Sequence, residues 1–206
     1  MKKRYSLGEE IFNGVSHGVG AGLSVAAIPI LAVKASGVSA MAVVSTMVYG
    51  FTLVFLYMMS TLYHSLTKAK EVFGRLDHTS IYALIAGTYT PLCLVGLKGA
   101  FGWTIFGIIW GLAIVGIAFY AIFGSRMRKL SAITYLPMAW LVIFTWKRLS
   151  ATVSPLCLHF LIAGGICYTV GVIFYAMKKI KWMHSVFHIF CVAGSILHFF
   201  AVMNLM

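Results

Sequence analysis

Seven long apolar runs, separated by short polar breaks, take up nearly the whole chain, at residues 14–33, 41–66, 78–97, 101–123, 131–146, 155–177 and 183–205. A helix needs about 20 apolar residues to cross the hydrocarbon of a bilayer. A chain of 206 residues therefore holds seven spans with tight loops and has no length left for a second domain. Lipid offers no hydrogen bonds to a backbone, so only helices and closed barrels can span it. These runs are too long for barrel strands and lack their alternation of apolar and polar positions. The sequence predicts an all-α membrane protein, a single domain over residues 1–206 formed by a seven-transmembrane helix bundle.

Charge supports this reading. Charged residues make up 10% of the chain, against about 25% in soluble domains. Four residues are acidic: Glu9, Glu10, Glu71 and Asp77. The net charge of +12 does not point to nucleic acid, because the basic residues lie in clusters between apolar runs rather than on one soluble face. Their distribution reads instead as topology. Lys2, Lys3, Arg4, Lys68, Lys70, Arg75, Arg126, Arg128, Lys129, Lys178, Lys179 and Lys181 fall on one side, twelve in all, and Lys34, Lys98, Lys147 and Arg148 on the other. The basic side is cytoplasmic by the positive-inside rule. That places the N-terminus inside and the C-terminus outside, in a multi-pass protein of the cell membrane, opposite in orientation to G-protein-coupled receptors. Residues 1–13 read as an amphipathic cytoplasmic lead-in rather than a cleaved signal, since two glutamates interrupt the approach to the first run.

Details within the runs refine the picture. The fifth is the shortest, carries Pro137, and ends at Lys147 and Arg148, whose long stems can snorkel. Pro29, Pro91 and Pro155 fall near span ends or bends. Cys93, Cys157, Cys167 and Cys191 lie inside apolar runs without a CxxC pair and read as small buried hydrophobes. Gly18/Gly22 and Gly107/Gly111 have the spacing of close helix packing within a bundle. The five tryptophans read mostly as an interfacial belt.

Ionisable groups inside spans are costly, and each raises a question of function. His184 and His188, at the start of the last run, share a helix face about 6 Å apart and can bind one metal ion together. His64 lies one turn before Lys68, near the cytoplasmic end of the second run. Asp77 opens the third run on the same side. Three imidazoles and one carboxylate thus fall at one level just inside the cytoplasmic boundary. Three histidine nitrogens with an open fourth position are a usual catalytic zinc set. The same donors also suit iron, cobalt or nickel. Ser60, one turn deeper than His64 on the same face, can orient a ligand ring or a water. Asp77 is the carboxylate placed to carry a proton to a leaving amine. His17 reads as a packing or supporting partner. His78 points about 100° away from Asp77 and reads as interfacial. His198 lies about 15 Å beyond His188 along the last helix, and His159 near the opposite face.

Glu10-x-x-Asn13-x-x-x-His17, Ser60-x-x-x-His64, Leu76-Asp77-His78 with Gly87-Thr88-Tyr89-Thr90-Pro91, and His184-x-x-x-His188 together resemble the hemolysin III family, within the progestin and adiponectin receptor family. The resemblance covers essentially the whole chain. It implies a seven-helix bundle with an intracellular N-terminus. It implies zinc held by His64, His184 and His188, with Asp77 at the site through water and Ser60 beside it. It also implies a distant similarity to the alkaline ceramidases, membrane hydrolases with a similar pattern.

Three functional readings follow. The first is a zinc-dependent hydrolase of a lipid amide or ester, with membrane lipids as partners and no nucleic acid. The second is a non-catalytic regulator or sensor of membrane lipid or energetic state, in which zinc is structural. The third is a haemolytic, cytolytic protein.

Overall fold

The computed structural model describes residues 5–177 and 179–206, with the side chains of residues 125, 128 and 129 excepted. Lys2, Lys3, Arg4 and Lys178, used above for topology, lie outside the described residues. The chain runs through α1 (Leu7–Ser36), α2 (Ala40–Ser65), α3 (Lys70–Pro91) with a π-helical continuation (Leu92–Leu97), α4 (Gly99–Phe123), a 3₁₀ turn (Gly124–Met127), α5 (Arg128–Trp140), α6 (Val142–Leu149), α7 (Pro155–Ala176) and α8 (Met183–Met203). Among the described residues, seven helical stretches are long and apolar enough to cross a bilayer, α5 and α6 counting together as the fifth, Leu130–Leu149. No strand occurs among them.

The apolar surface is that of a membrane protein. Large apolar side chains are exposed on most of the helices, Phe144, Val33 and Ile122 being 82%, 76% and 70% exposed, as lipid contact allows. α4 buries Gly102, Ile109, Ala113 and Tyr120, a narrow stripe, and turns its other apolar faces outward. α3 is the central helix: Ala86–Cys93 is buried without interruption, with α2, α4 and α5 packed around it. α8 lies between α1 and α7.

Three boundaries differ from the sequence expectation. α1 starts at Leu7, not near residue 14. Ser6 caps it, with its hydroxyl accepting from the Glu9 amide and the Glu9 carboxylate accepting from the Ser6 amide. The acidic lead-in is thus the first two turns of the helix. α3 starts at Lys70, eight residues before its apolar run, because a polar helical turn is tolerated where the chain leaves the bilayer. The fifth span breaks at Leu141, downstream of Pro137. Tyr89 from α3 bridges the break: its hydroxyl accepts from the Val142 amide (2.6 Å) and donates to the Ala139 carbonyl (2.8 Å). Backbone groups freed in the bundle are thereby satisfied by a side chain.

The glycine reading is corrected. Nothing lies within 4 Å of a Cβ added at Gly22, Gly107 or Gly111, so those positions do not mediate close packing. Tight approaches occur instead at Gly20, against the Tyr57 ring, and at Gly102, where a Cβ would collide with the Cys93 carbonyl oxygen of the π-helical stretch. Gly102→Ala is expected to destabilise the fold by about 1–3 kcal/mol, as overpacking does. Gly107→Ala serves as the neutral comparison. Thermal unfolding in detergent reads the difference; equal midpoints for the two variants would refute it. Two tryptophans also depart from the interfacial belt. Trp110 donates to Thr90 (3.1 Å) and Trp140 to Thr169 (3.0 Å), inside the bundle.

Candidate metal centre

The polar face of α1 organises the end of the bundle where that helix begins. Its buried polar side chains there are Glu9, Asn13 and His17, one turn apart. Glu9 does two jobs. One oxygen closes the Ser6 cap, and the other accepts the Trp182 amide at 2.7 Å. Trp182 precedes α8 in a left-handed conformation (φ 66) that a non-glycine residue rarely adopts. The Glu9 bond fixes that turn and sets where α8 begins. Asn13 extends the seam, its side-chain oxygen accepting from the Ser185 hydroxyl at 2.7 Å.

α8 then presents His184 and His188 on one face, their Nε2 atoms 3.2 Å apart. His64 comes to them from the last turn of α2, its side chain fully buried. One ring nitrogen from each of His64, His184 and His188 lies within 4.8 Å of the others. The structure therefore brings together the three histidines that the sequence placed at one level.

Their ring partners favour metal binding. His64 Nδ1 sits 2.6 Å from Glu10 Oε2, and its Nε2 is buried without a hydrogen bond. His188 Nδ1 lies 3.5 Å from Ser16 Oγ, whose own hydrogen goes to the Asn13 carbonyl at 3.1 Å. With Ser16 placed to accept, the contact suits a His188 ring protonated on Nδ1. In that tautomer a ring keeps its lone pair on Nε2, the atom that faces the cluster. A buried imidazole nitrogen without a partner, beside two facing ring nitrogens, fits an ion bound by three histidines.

Ser60 and Asp77 line the same cavity as His17, His184 and His188, a space of about 40 Å³. That is large enough for water. Ser60 is 1% exposed, with its hydroxyl against the Asp77 carboxyl. His17 stacks on His188, ring centres 3.6 Å apart, and neither of its nitrogens makes a hydrogen bond of ordinary length. It is a packing partner, as the sequence suggested. His78 differs from expectation: it lines the cavity beside Asp77 and packs on Tyr120. Sequence reasoning also missed Tyr5, stacked on His184 at 4.8 Å, and Tyr175 in the cavity wall. His198 stays apart, 3.2 Å from the Leu161 carbonyl.

A second cavity, of about 170 Å³ and almost wholly apolar in its walls, adjoins the first. Leu56, Ile81, Phe187 and Cys191 line both. The bundle thus joins a small polar chamber to an apolar one that reaches His198 and Trp146.

Fold and site define a class: multi-pass helical membrane proteins with a buried histidine cluster at one end of the bundle. Comparison with known proteins narrows it. The model of the Haemolysin-III related family matches residues 5–199. Hemolysin-3 of Bacillus cereus is 45% identical over 198 residues, covering 95% of this chain and 90% of that protein. The Hemolysin-3 homolog of Bacillus subtilis is 43% identical, covering 97% and 95%. The human Monocyte to macrophage differentiation factor is 23% identical over 167 residues, covering 77% and 69%. The chain belongs to the Haemolysin-III related family, as an integral membrane protein whose expected place is the cell membrane.

Proposed function

We propose that this protein is a zinc-dependent hydrolase that acts within the membrane on an amide or ester of a long-chain acyl group. The observation that carries the reading is the shared wall between the histidine chamber and the apolar cavity. A lipid has the same two-part character, an apolar chain ending in a polar group.

His64, His184 and His188 would hold the ion. When bound, it supplies a Lewis acid and lowers the pKa of water. The chain's own residues do the rest. A cavity near 170 Å³ compares with an engineered one of about 150 Å³ that binds benzene, so it takes the acyl segment next to the scissile carbonyl. Leu56, Ile81, Phe187 and Cys191 keep that segment dry and aim the carbonyl at the polar chamber. Asp77 takes a proton from the attacking water and delivers it to the leaving amine or alcohol. Ser60 holds the Asp77 carboxyl in place. One water is consumed, the C–N or C–O bond breaks, and a fatty acid and an amine or alcohol are released.

The test is a screen of N-acyl amides and acyl esters in mixed micelles, with free fatty acid measured by mass spectrometry. Release is expected from zinc-loaded protein and should stop with a chelator. Zinc-loaded protein that releases fatty acid from no substrate in the panel refutes the reading.

The basic loops support a cytoplasmic position for the beginning of α1, and with it for the proposed metal centre. Alkaline phosphatase fused to the C-terminus is expected to be active in a bacterial host. A fluorescent C-terminal fusion to green fluorescent protein would instead place that end inside.

A further inference from the structure

We propose that Glu10, held by Lys70, sets the tautomer and orientation of His64, so that Nε2 is the atom this ring offers to the metal. The inference deepens the reading of the histidine cluster as a metal centre and rests on it.

Both Glu10 oxygens are committed. Oε2 meets His64 Nδ1 at 2.6 Å, and Oε1 accepts from Lys70 Nζ at 2.6 Å. Lys70 is itself held over the Tyr63 ring, 5.2 Å from its centre. Tyr63 also packs edge-on to His64, ring centres 4.8 Å apart. The carboxylate therefore has no free rotation by which to leave the imidazole. An ionised carboxylate only accepts hydrogen bonds, so the proton between the two groups sits on Nδ1. A neutral ring protonated there carries its lone pair on Nε2, the nitrogen with no other partner.

The arrangement is asymmetric across the cluster. His188 leans on a neutral hydroxyl at 3.5 Å, whereas His64 leans on a charged carboxylate at 2.6 Å. Carboxylate support fixes the ring of a ligating histidine and raises its basicity. Of these two ligands His64 is the more firmly oriented, even though it comes from a different helix. Glu10 reaches it from α1 and Lys70 from the start of α3, so three helices converge to orient one ring.

Glu10→Ala removes the support and Glu10→Gln keeps an acceptor oxygen without the charge. Glu71→Ala is the control, because Glu71 is exposed and pairs with Arg75 one turn along the same helix. The first readout needs no metal. Nitrogen-15 spectra of histidine-labelled, chelator-treated protein, with His64 assigned by His64→Gln, should show the Nδ1–H tautomer in the wild type and its loss in Glu10→Ala. A wild-type His64 protonated on Nε2 overturns the proposal. The second readout is cobalt(II) and zinc affinity by chelator competition. Glu10→Ala should bind about 10–100-fold more weakly, with Glu10→Gln between and Glu71→Ala unchanged. Wild-type affinity in Glu10→Ala overturns the role of Glu10 alone. A wild type that binds neither metal overturns the metal centre itself, and this inference with it. Should Glu10→Ala not fold, Glu10→Gln carries both readouts.

Discussion

Protein purified in mild detergent is expected to hold about one metal ion per chain, in keeping with the single three-histidine cluster among the described residues, and the His184→Ala/His188→Ala variant to hold none. The double change removes two of three ligands and leaves His64 as a lone imidazole. Outer-shell changes cost about 10–100-fold in metal affinity, and loss of two direct ligands must exceed that. Elemental mass spectrometry gives the stoichiometry. His198→Ala is the matched control, since it sits on the same helix and lines the apolar cavity. It should retain the ion. A double variant that keeps a full complement of metal would place the ion elsewhere and dissolve the proposed centre.

Asp77→Asn is expected to lower hydrolysis by about 10²–10⁴-fold, the range typical of a lost general acid–base group, while metal content stays at the wild-type level. Asparagine matches aspartate in shape and still bonds to Ser60, but it cannot accept and return a proton. Turnover and metal content together separate the roles. If activity and metal fall together, Asp77 belongs to the ligand shell. If activity persists, the proton carrier is another group. If the wild type binds metal yet hydrolyses nothing, the ion acts as a clamp between α2 and α8, and the regulator reading gains ground.

The spans were legible because a bilayer imposes one length and one polarity on whatever crosses it. Their ends were less so. The start of α1 is written in a local signal, the Ser6–Glu9 capping box, which was passed over because the surrounding residues are polar. The break at Leu141 depends on Tyr89, some fifty residues upstream, and no local pattern reveals it. The site divides in the same way. His184 and His188 announce themselves by helical spacing, and His64 and Asp77 by depth. Glu9 and Glu10 read as part of a cytoplasmic lead-in, and Glu10 as part of a family motif, without assigned partners, because those partners lie 173 and 54 residues away. The cavity-lining role of His78 was misjudged because helical angle alone does not say where the neighbouring helices stand.

The bond from Glu9 to Trp182 also bears on biogenesis. It ties the first turn of α1 to the threshold of α8. Helices α1 through α7 carry one of the three clustered histidines, so the cluster is complete only once α8 has joined them. On the metal-centre reading proposed above, ion capture waits for that step. A product lacking α8 would carry His64 alone of the three and could not assemble the cluster.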